Sequence, residues 1–266
     1  VGLYVKCGSL REAGKVFYSL PCRNLVTWTL IISGYVMQGD GIHALELYEE
    51  MMKQGDVKPD QVMFMFVLKA CGNVGAMTHG MVIHDGIISD GLDMDLGVEN
   101  ALLELYAKCG NLREAQNVFS RMKEHDVVSW GTLLCGFAQF GDWLSMLSLF
   151  ERMKCEEGIK PDSVIYSNLL KSCSNVGLST EGYKHLEAIV RSYSIDPSVE
   201  HFSSMINLFG RVGQLHEAKD LLVTLPDSHI SCMPQTSLLA NCRTYGNVDL
   251  GGTCFSHTFD IDPDNA

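Results

Sequence analysis

The sequence predicts an all-α fold, a right-handed α-solenoid superhelix of stacked helix-turn-helix repeats. Three observations carry that prediction. Shifting the chain by 102 residues brings Trp28 onto Trp130, Pro59-Asp60 onto Pro161-Asp162, Cys71 onto Cys173 and Lys6-Cys7-Gly8 onto Lys108-Cys109-Gly110. A further shift of 103 carries Gly110 to Gly213, so that G-x-L-x-E-A occurs three times, at Gly8–Ala13, Gly110–Ala115 and Gly213–Ala218. Inside the repeated segments apolar residues recur at i, i+3, i+4 and i+7, the period of one helix face. A hairpin of about 35 residues cannot bury two such faces by itself, whereas stacked neighbours can.

The elements follow in order. Residues 1–24 hold one helix face (Ala13, Val16, Phe17 and Leu20) and form a partial unit. Cutting after the recurrent Pro-Asp, after Asp95 and after Asp126 gives 25–60, 61–95 and 96–126, of 36, 35 and 31 residues. In 25–60 the two faces are Trp28, Ile31, Ile32, Tyr35 and Ala44, Leu47, Tyr48, Met51. The second round is 127–162, 163–198 and 199–230. Its first face is Trp130, Leu133, Leu134 and Phe137, and Gly141 then supplies a left-handed stop. Met146, Leu149, Phe150 and Met153 form the next face, which Lys160-Pro161-Asp162 ends. In the short units the second face recurs as Ala115, Val118, Phe119, Met122 and as Ala218, Leu221, Leu222, Leu225. Residues 231–266 read as a divergent tail. The expectation is seven hairpins, the first incomplete, with the first helix of each lining the concave side.

Composition narrows the function classes. Apolar residues make up 46% and charged residues 20%, a globular ratio that excludes disorder. Lys+Arg number 20 against 32 Asp+Glu, a net charge of −12 that counts against a generic basic nucleic-acid binder. Val62–Leu68 is an apolar run of seven residues, far short of a membrane span, and no membrane partner is expected. The 10 cysteines contain no C-x-x-C and are spread from Cys7 to Cys254. They read as small buried apolar residues in a reducing compartment, not as zinc ligands or a disulfide framework. No metal and no cofactor is expected.

Several phrases resemble the pentatricopeptide repeat family. They are Val127-Val128-Ser129-Trp130, then Phe150-Glu151-Arg152-Met153, then Ile159-Lys160-Pro161-Asp162. The order 36, 35, 31 is similar to the plant P–L–S subclass, and Leu105-Tyr106-Ala107-Lys108-Cys109-Gly110 resembles its S-unit phrase. The resemblance makes 1–24 a partial S repeat, 25–60 and 127–162 P repeats, 61–95 and 163–198 L repeats, and 96–126 and 199–230 S repeats. Leu238-Leu239-Ala240-Asn241-Cys242-Arg243, Gly246–Gly251 and Asp262-Pro263-Asp264-Asn265 are similar to the first E motif, so 231–266 is a truncated E-type motif. The chain is accordingly expected to be a fragment of a longer protein, without its N-terminal repeats or a transit segment. The resemblance implies sequence-specific recognition of single-stranded organellar RNA. The role is site recognition for C-to-U editing in the mitochondrion or chloroplast.

In that family the fifth residue of the first helix and the last residue of the unit select the base, and the second packs against it. Carried over, the fifth residues are Thr29, Met65, Asn100, Gly131, Ser167 and Ser203. The last are Asp60, Asp95, Asp126, Asp162 and Ser198, and Val26 and Val128 are second residues. Geometry gives the same stripe independently, because positions 2, 5 and 9 lie at i, i+3 and i+7 beside the core face. An ionised Asp only accepts hydrogen bonds and so favours the N–H donors of guanine or uracil. The resemblance implies G for Thr29 with Asp60 and U for Asn100 with Asp126. Met65 has no useful polar group, Gly131 has no side chain, Ser167 with Ser198 is not a standard pair, and Gly97 replaces the apolar second residue beside Asn100. The competing structural account is that the Asp residues are helix caps and turns. Lysines recur by position as Lys6/Lys108/Arg211, Lys58/Lys160 and Lys69/Lys171, and in a solenoid such positions become stripes. Lys69 and Lys171 fall on the groove stripe.

No P-loop, G-x-G-x-x-G, H-E-x-x-H or G-x-S-x-G occurs. His185-Leu186-Glu187 spells H-x-E, but no P-C-x-x-C follows it, so the zinc deaminase signature is incomplete. The chain is expected to be a recognition scaffold and not an enzyme. A deaminase would come from a missing segment or a partner, such as a deaminase-bearing protein or the multiple organellar RNA editing factors. The expected dock is the apolar face of 231–266, with Leu238, Leu239, Val248 and Leu250. Two other readings stay open: a helical scaffold for peptides, which the acidity suits, and a truncated copy without activity.

Overall fold

The structure is a computed structural model that describes residues 1–92, 95–155, 158–191, 196–224 and 232–261. Among the described residues the chain is all helical, without a strand, and its helices follow one another along the chain as eight successive pairs. They are α1 (Gly2–Lys6) with α2 (Leu10–Ser19), α3 (Leu25–Met37) with α4 (Gly41–Gln54), and α5 (Gln61–Val74) with α6 (Met77–Ser89). There follow α7 (Leu96–Lys108) with α8 (Leu112–Arg121), α9 (Val127–Gln139) with α10 (Trp143–Cys155), and α11 (Ser163–Val176) with α12 (Ser179–Arg191). The last are α13 (Val199–Arg211) with α14 (Leu215–Val223), and α15 (Cys232–Tyr245) with α16 (Val248–Ile261). Leu225 and the acidic end, 262–265, lie outside the described residues. The chain divides into two compact units, Val1–Gly136 and Phe137–Ala266.

In the first unit each leading helix packs on the next, α1 on α3, α3 on α5 and α5 on α7, while α2 and α4 reach forward onto α3 and α5. The apolar periodicity is spent in these contacts. Phe17 meets Trp28 edge to face at 4.7 Å, and Phe119 meets Trp130 in the same way at 4.7 Å, with all four rings almost fully buried. A basic side chain closes each pair. The Arg23 guanidinium lies 5.1 Å from the Phe17 ring centre, and its Nε donates to the Phe17 carbonyl at 3.4 Å. His125, at the equivalent place, stacks on Phe119 at 4.0 Å and donates from Nε2 to the Phe119 carbonyl at 2.8 Å. Between α6 and α7 the fit depends on glycine, because a Cβ on Gly80 would stand 2.5 Å from Leu105 Cδ2.

The second unit repeats these devices. Helices α11, α13 and α15 pack in succession, with α12 on α13 and α14 on α15. A Cβ on Gly182 would meet Leu208 Cδ2 at 2.6 Å, the counterpart of the Gly80 recess. His201, fully buried in α13, ties its hairpin to the one before. Its Nδ1 accepts from the Ser198 backbone N–H at 2.9 Å, so Nε2 carries the proton and donates to the Ser163 carbonyl at 2.9 Å.

The expectation of seven hairpins is corrected. The segment from Cys232 folds as an eighth, with α15 packed along α16 and onto α13 and α14. Its periodicity is hard to read because polar residues sit in its interior: Gln235, Asn241 and Thr258 are buried among Leu238, Cys242, Leu250 and Cys254. Pro234 falls in the first turn of α15, where its missing N–H costs nothing. Leu238 and Leu250 therefore belong to this hairpin's own core and are unavailable as a docking face. Leu239 is half-buried and Val248 is 82% exposed.

Burial pushes the imidazole of His201 below its ordinary range, outweighing the hydrogen bond to the Ser163 carbonyl, and does the same to His185. Burial thus favours the neutral form of both in the fold. Below about pH 6.5 the unfolded chain takes up protons that the folded chain refuses, so stability falls as pH falls. Thermal melts between pH 7.5 and 5.5 should show the midpoint dropping. A His201→Gln variant should start lower and lose less over that range.

Candidate nucleic-acid interface

The residues proposed from sequence to select bases open the leading helices. Asp60, Asp95, Asp126 and Asp162 each precede a leading helix as its N-cap. Each accepts, through Oδ1, from the backbone N–H three residues on: Met63 at 2.9 Å, Val98 at 3.0 Å, Ser129 at 2.8 Å and Ile165 at 2.9 Å. At Asp126 the cap is reciprocal, since its own N–H donates to Ser129 Oγ at 2.8 Å. Ser198 does the same job through a capping box with His201. The capping account of these residues is thus part of the structure. It engages Oδ1 of each carboxylate and leaves Oδ2 outside the cap.

The fifth residues sit just over a turn into each helix. Thr29 is half-buried, and its hydroxyl donates to the Leu25 carbonyl at 2.9 Å, which leaves the oxygen's lone pairs as acceptors. Ser167 and Gly131 are half-buried and Met65 is 38% exposed. In 96–126 the fifth and last residues meet, with Asn100 Nδ2 donating to Asp126 Oδ1 at 3.4 Å. The Asn100 Oδ1 is buried without a hydrogen-bond partner, an unmet acceptor beside a carboxylate. The second residues are uncovered valines: Val26, Val62, Val128 and Val164 are each about half exposed or more, at one recurring position. Sequence reasoning placed this apolar row beside the polar fifth residues, and on each helix both lie off the core face that carries Trp28 or Trp130.

The recurring cations divide. Lys108 bonds Glu104 at 2.6 Å and Asn73 at 2.8 Å, and Arg211 reaches Asn175 at 3.4 Å. Both tie one leading helix to the one before it. Lys58 is paired with Asp90 at 2.7 Å. Lys69 is half-buried in α5 and Lys171 is exposed in α11. The asparagine partners were missed from sequence, although Asn73 and Asn175 stand 102 apart and carried that information.

His185 of the H-x-E phrase is half-buried with its ring edge to face on Phe150 at 5.7 Å. Among the described residues no three His, Cys, Asp or Glu side chains are grouped to hold a metal ion. No helix among them is long and apolar enough to cross a membrane.

A stacked-hairpin fold with a repeated apolar and polar stripe defines a helical-repeat binding scaffold. The chain belongs to the pentatricopeptide repeat family. The model of the PPR repeat family matches residues 23–73 and 125–175, and the PPR repeat model matches 100–127 and 200–228. A pentatricopeptide repeat-containing protein of Arabidopsis thaliana is 35% identical over 268 residues, covering 100% of this chain and 32% of that protein. A mitochondrial one from the same plant is 32% identical over 266 residues, covering 100% and 47%, and a chloroplastic one is 35% identical over 269, covering 100% and 40%. The chain thus spans about a third to a half of these relatives. Among solved structures, the pentatricopeptide repeat protein PPR10 in complex with an 18-nt psaJ RNA element superposes with a TM-score of 0.75 at 21% identity, over 91% of this chain and 36% of that one. The PPR domain of Arabidopsis thaliana protein-only RNase P 1 in complex with tRNA gives 0.53 at 16% identity, over 66% and 95%.

The double duty of Asp126 can be separated by substitution. Asp126→Ala removes the cap and should cost about 0.5–2 kcal/mol in chemical denaturation. Asp126→Asn keeps the accepting oxygen and should stay within about 0.5 kcal/mol of the parent.

Proposed function

We propose that this chain reads single-stranded RNA, one nucleotide at each of its leading helices, as the site-recognition part of a plant organellar C-to-U editing factor. The reading is supported by features that open the leading helices: exposed valines at Val26, Val62, Val128 and Val164, capping carboxylates at Asp60, Asp95, Asp126 and Asp162, and polar fifth residues at Thr29, Asn100 and Ser167. The single observation that carries it is the contact of Asn100 with Asp126, a fifth residue meeting the last residue of its own unit. RNA in the complexes of its structural neighbours supports the ligand class. The mitochondrial and chloroplastic names of its relatives support an organelle. The alternating unit lengths support P, L and S repeats over 25–230 and an E-type motif over 231–266.

In this reading the second-position valine packs against the face of a base, and the carboxylate oxygen not used in the cap accepts an N–H from its pairing edge. Thr29 with Asp60 selects G, and Asn100 with Asp126 selects U. Ser167 with Ser198 and the unit of Gly131 discriminate weakly. Lys69 and Lys171 meet phosphate, and the acidic remainder makes binding weak and salt-sensitive. Deamination requires a zinc-bound water and a glutamate, which another segment or a partner protein supplies on the side of 231–266.

Thr29→Asn with Asp60 kept should move preference at that nucleotide from G towards U by about 1–3 kcal/mol. Lys171→Ala should instead weaken all sequences alike and flatten the dependence on salt. Uniform loss from both changes in a binding titration would refute the base assignment.

The purified chain, mixed with its preferred RNA and zinc, should leave every cytidine intact when the RNA is sequenced. Uridine appearing there without added protein would refute the division between recognition and chemistry.

A further inference from the structure

The leading helix α7 breaks the valine row, because its second residue is Gly97. The gap is not empty. A Cβ built on Gly97 would stand 3.1 Å from Met65 Sδ and 3.3 Å from Met65 Cε, and 3.1 Å from Asp95 Oδ1. Asp95 is fixed there by its cap on Val98 N–H at 3.0 Å. The thioether of Met65, sent across from α5, therefore lies where a second-position side chain would begin, the position held by Val26, Val62, Val128 and Val164 in four other units. It remains 38% exposed, so it presents apolar surface outward as those valines do. Asn100, in the first turns of α7, is in contact at 3.4 Å with Asp126, the N-cap of α9.

We infer that Met65 replaces the side chain Gly97 lacks and supplies the apolar face for the base read by Asn100 and Asp126. The inference rests on the RNA-reading proposal above. It gives a role to a fifth residue that has no polar group of its own, and it makes Gly97 a requirement for Met65 instead of a defect. A flexible, polarisable thioether suits contact with a flat π-face. A side chain at 97 would press on the end of Met65 and on Asp95, so either the thioether shifts or the added group is strained.

The test uses a short single-stranded RNA selected from a randomised pool on the parent chain, beside the same RNA with the selected uridine made abasic. Met65→Ala should weaken the intact RNA about 2- to 10-fold and leave binding of the abasic RNA unchanged. Met65→Leu should keep most of the affinity. Gly97→Val alone should gain nothing, and Met65→Ala with Gly97→Val should return to within about 2-fold of the parent, because a local apolar group is restored. Circular-dichroism melts of each variant check that the hairpins stay folded. Met65→Ala without effect, or with equal loss on the abasic RNA, while Thr29→Asn still moves its own nucleotide preference, overturns this inference and leaves the RNA reading standing. A parent chain that enriches no RNA from the pool overturns both.

Discussion

The contact between one hairpin's phenylalanine and the next hairpin's tryptophan sets the terms for everything built on it. Phe17 with Trp28, and Phe119 with Trp130, bury large rings that no single hairpin could cover. Truncating a tryptophan at such a place typically costs about 3–5 kcal/mol, a large part of what one hairpin could contribute. Arg23 and His125 extend the contact by bonding the phenylalanine carbonyls, so ring stacking and backbone satisfaction occur together. Helices held this way keep a fixed rotation. With Trp28 turned inward, Val26 is turned out to solvent and Thr29 lies at the edge of the core face.

Much of this was legible in the sequence because recurrence multiplies a weak signal. A single i, i+3, i+4, i+7 run could belong to any amphipathic helix, but the same run with Pro-Asp, Lys-Cys-Gly and G-x-L-x-E-A at fixed offsets fits a stacked array. The segment from Cys232 was less legible. Gln235, Asn241 and Thr258 are buried there, with Thr258 bonding the Cys254 carbonyl at 2.9 Å and Asn241 the Ser237 carbonyl at 2.8 Å. Asn241 and Thr258 satisfy themselves within their helices and so erase the apolar stripe, while Gln235 keeps its Oε1 buried without a hydrogen-bond partner. Met65 and Gly97 illustrate the remaining gap. Each departs from its expected residue type, and only the three-dimensional proximity of the two shows that the departures belong together.

Charge follows the same logic of place over total. The chain carries −12, yet Lys108, Arg211 and Lys58 are taken up by Glu104 with Asn73, by Asn175 and by Asp90. These ties hold neighbouring helices together, and Glu104 and Asp90 offset the charges of Lys108 and Lys58, whereas the neutral amide of Asn175 leaves the charge of Arg211 in place. Surface pairs of this kind are each worth a fraction of a kcal/mol, so their value lies more in fixing geometry than in stability. The long-range potential of so acidic a chain opposes encounter with a polyanion.

The capping residues carry one further consequence. Asp60, Asp95, Asp126, Asp162 and Ser198 each start a helix, and only a few side chains do that well: aspartate, asparagine, serine and threonine. If the same residue also distinguishes one base from another, its alphabet was restricted by helix physics before any nucleic acid was present. Mutational drift at that site can exchange an acceptor-only group for an amide or a hydroxyl, and each exchange alters what the second oxygen or its replacement offers. It cannot introduce a leucine or a lysine without loosening the helix it opens. The vocabulary of such a reader is short because its letters must also serve as hinges between words.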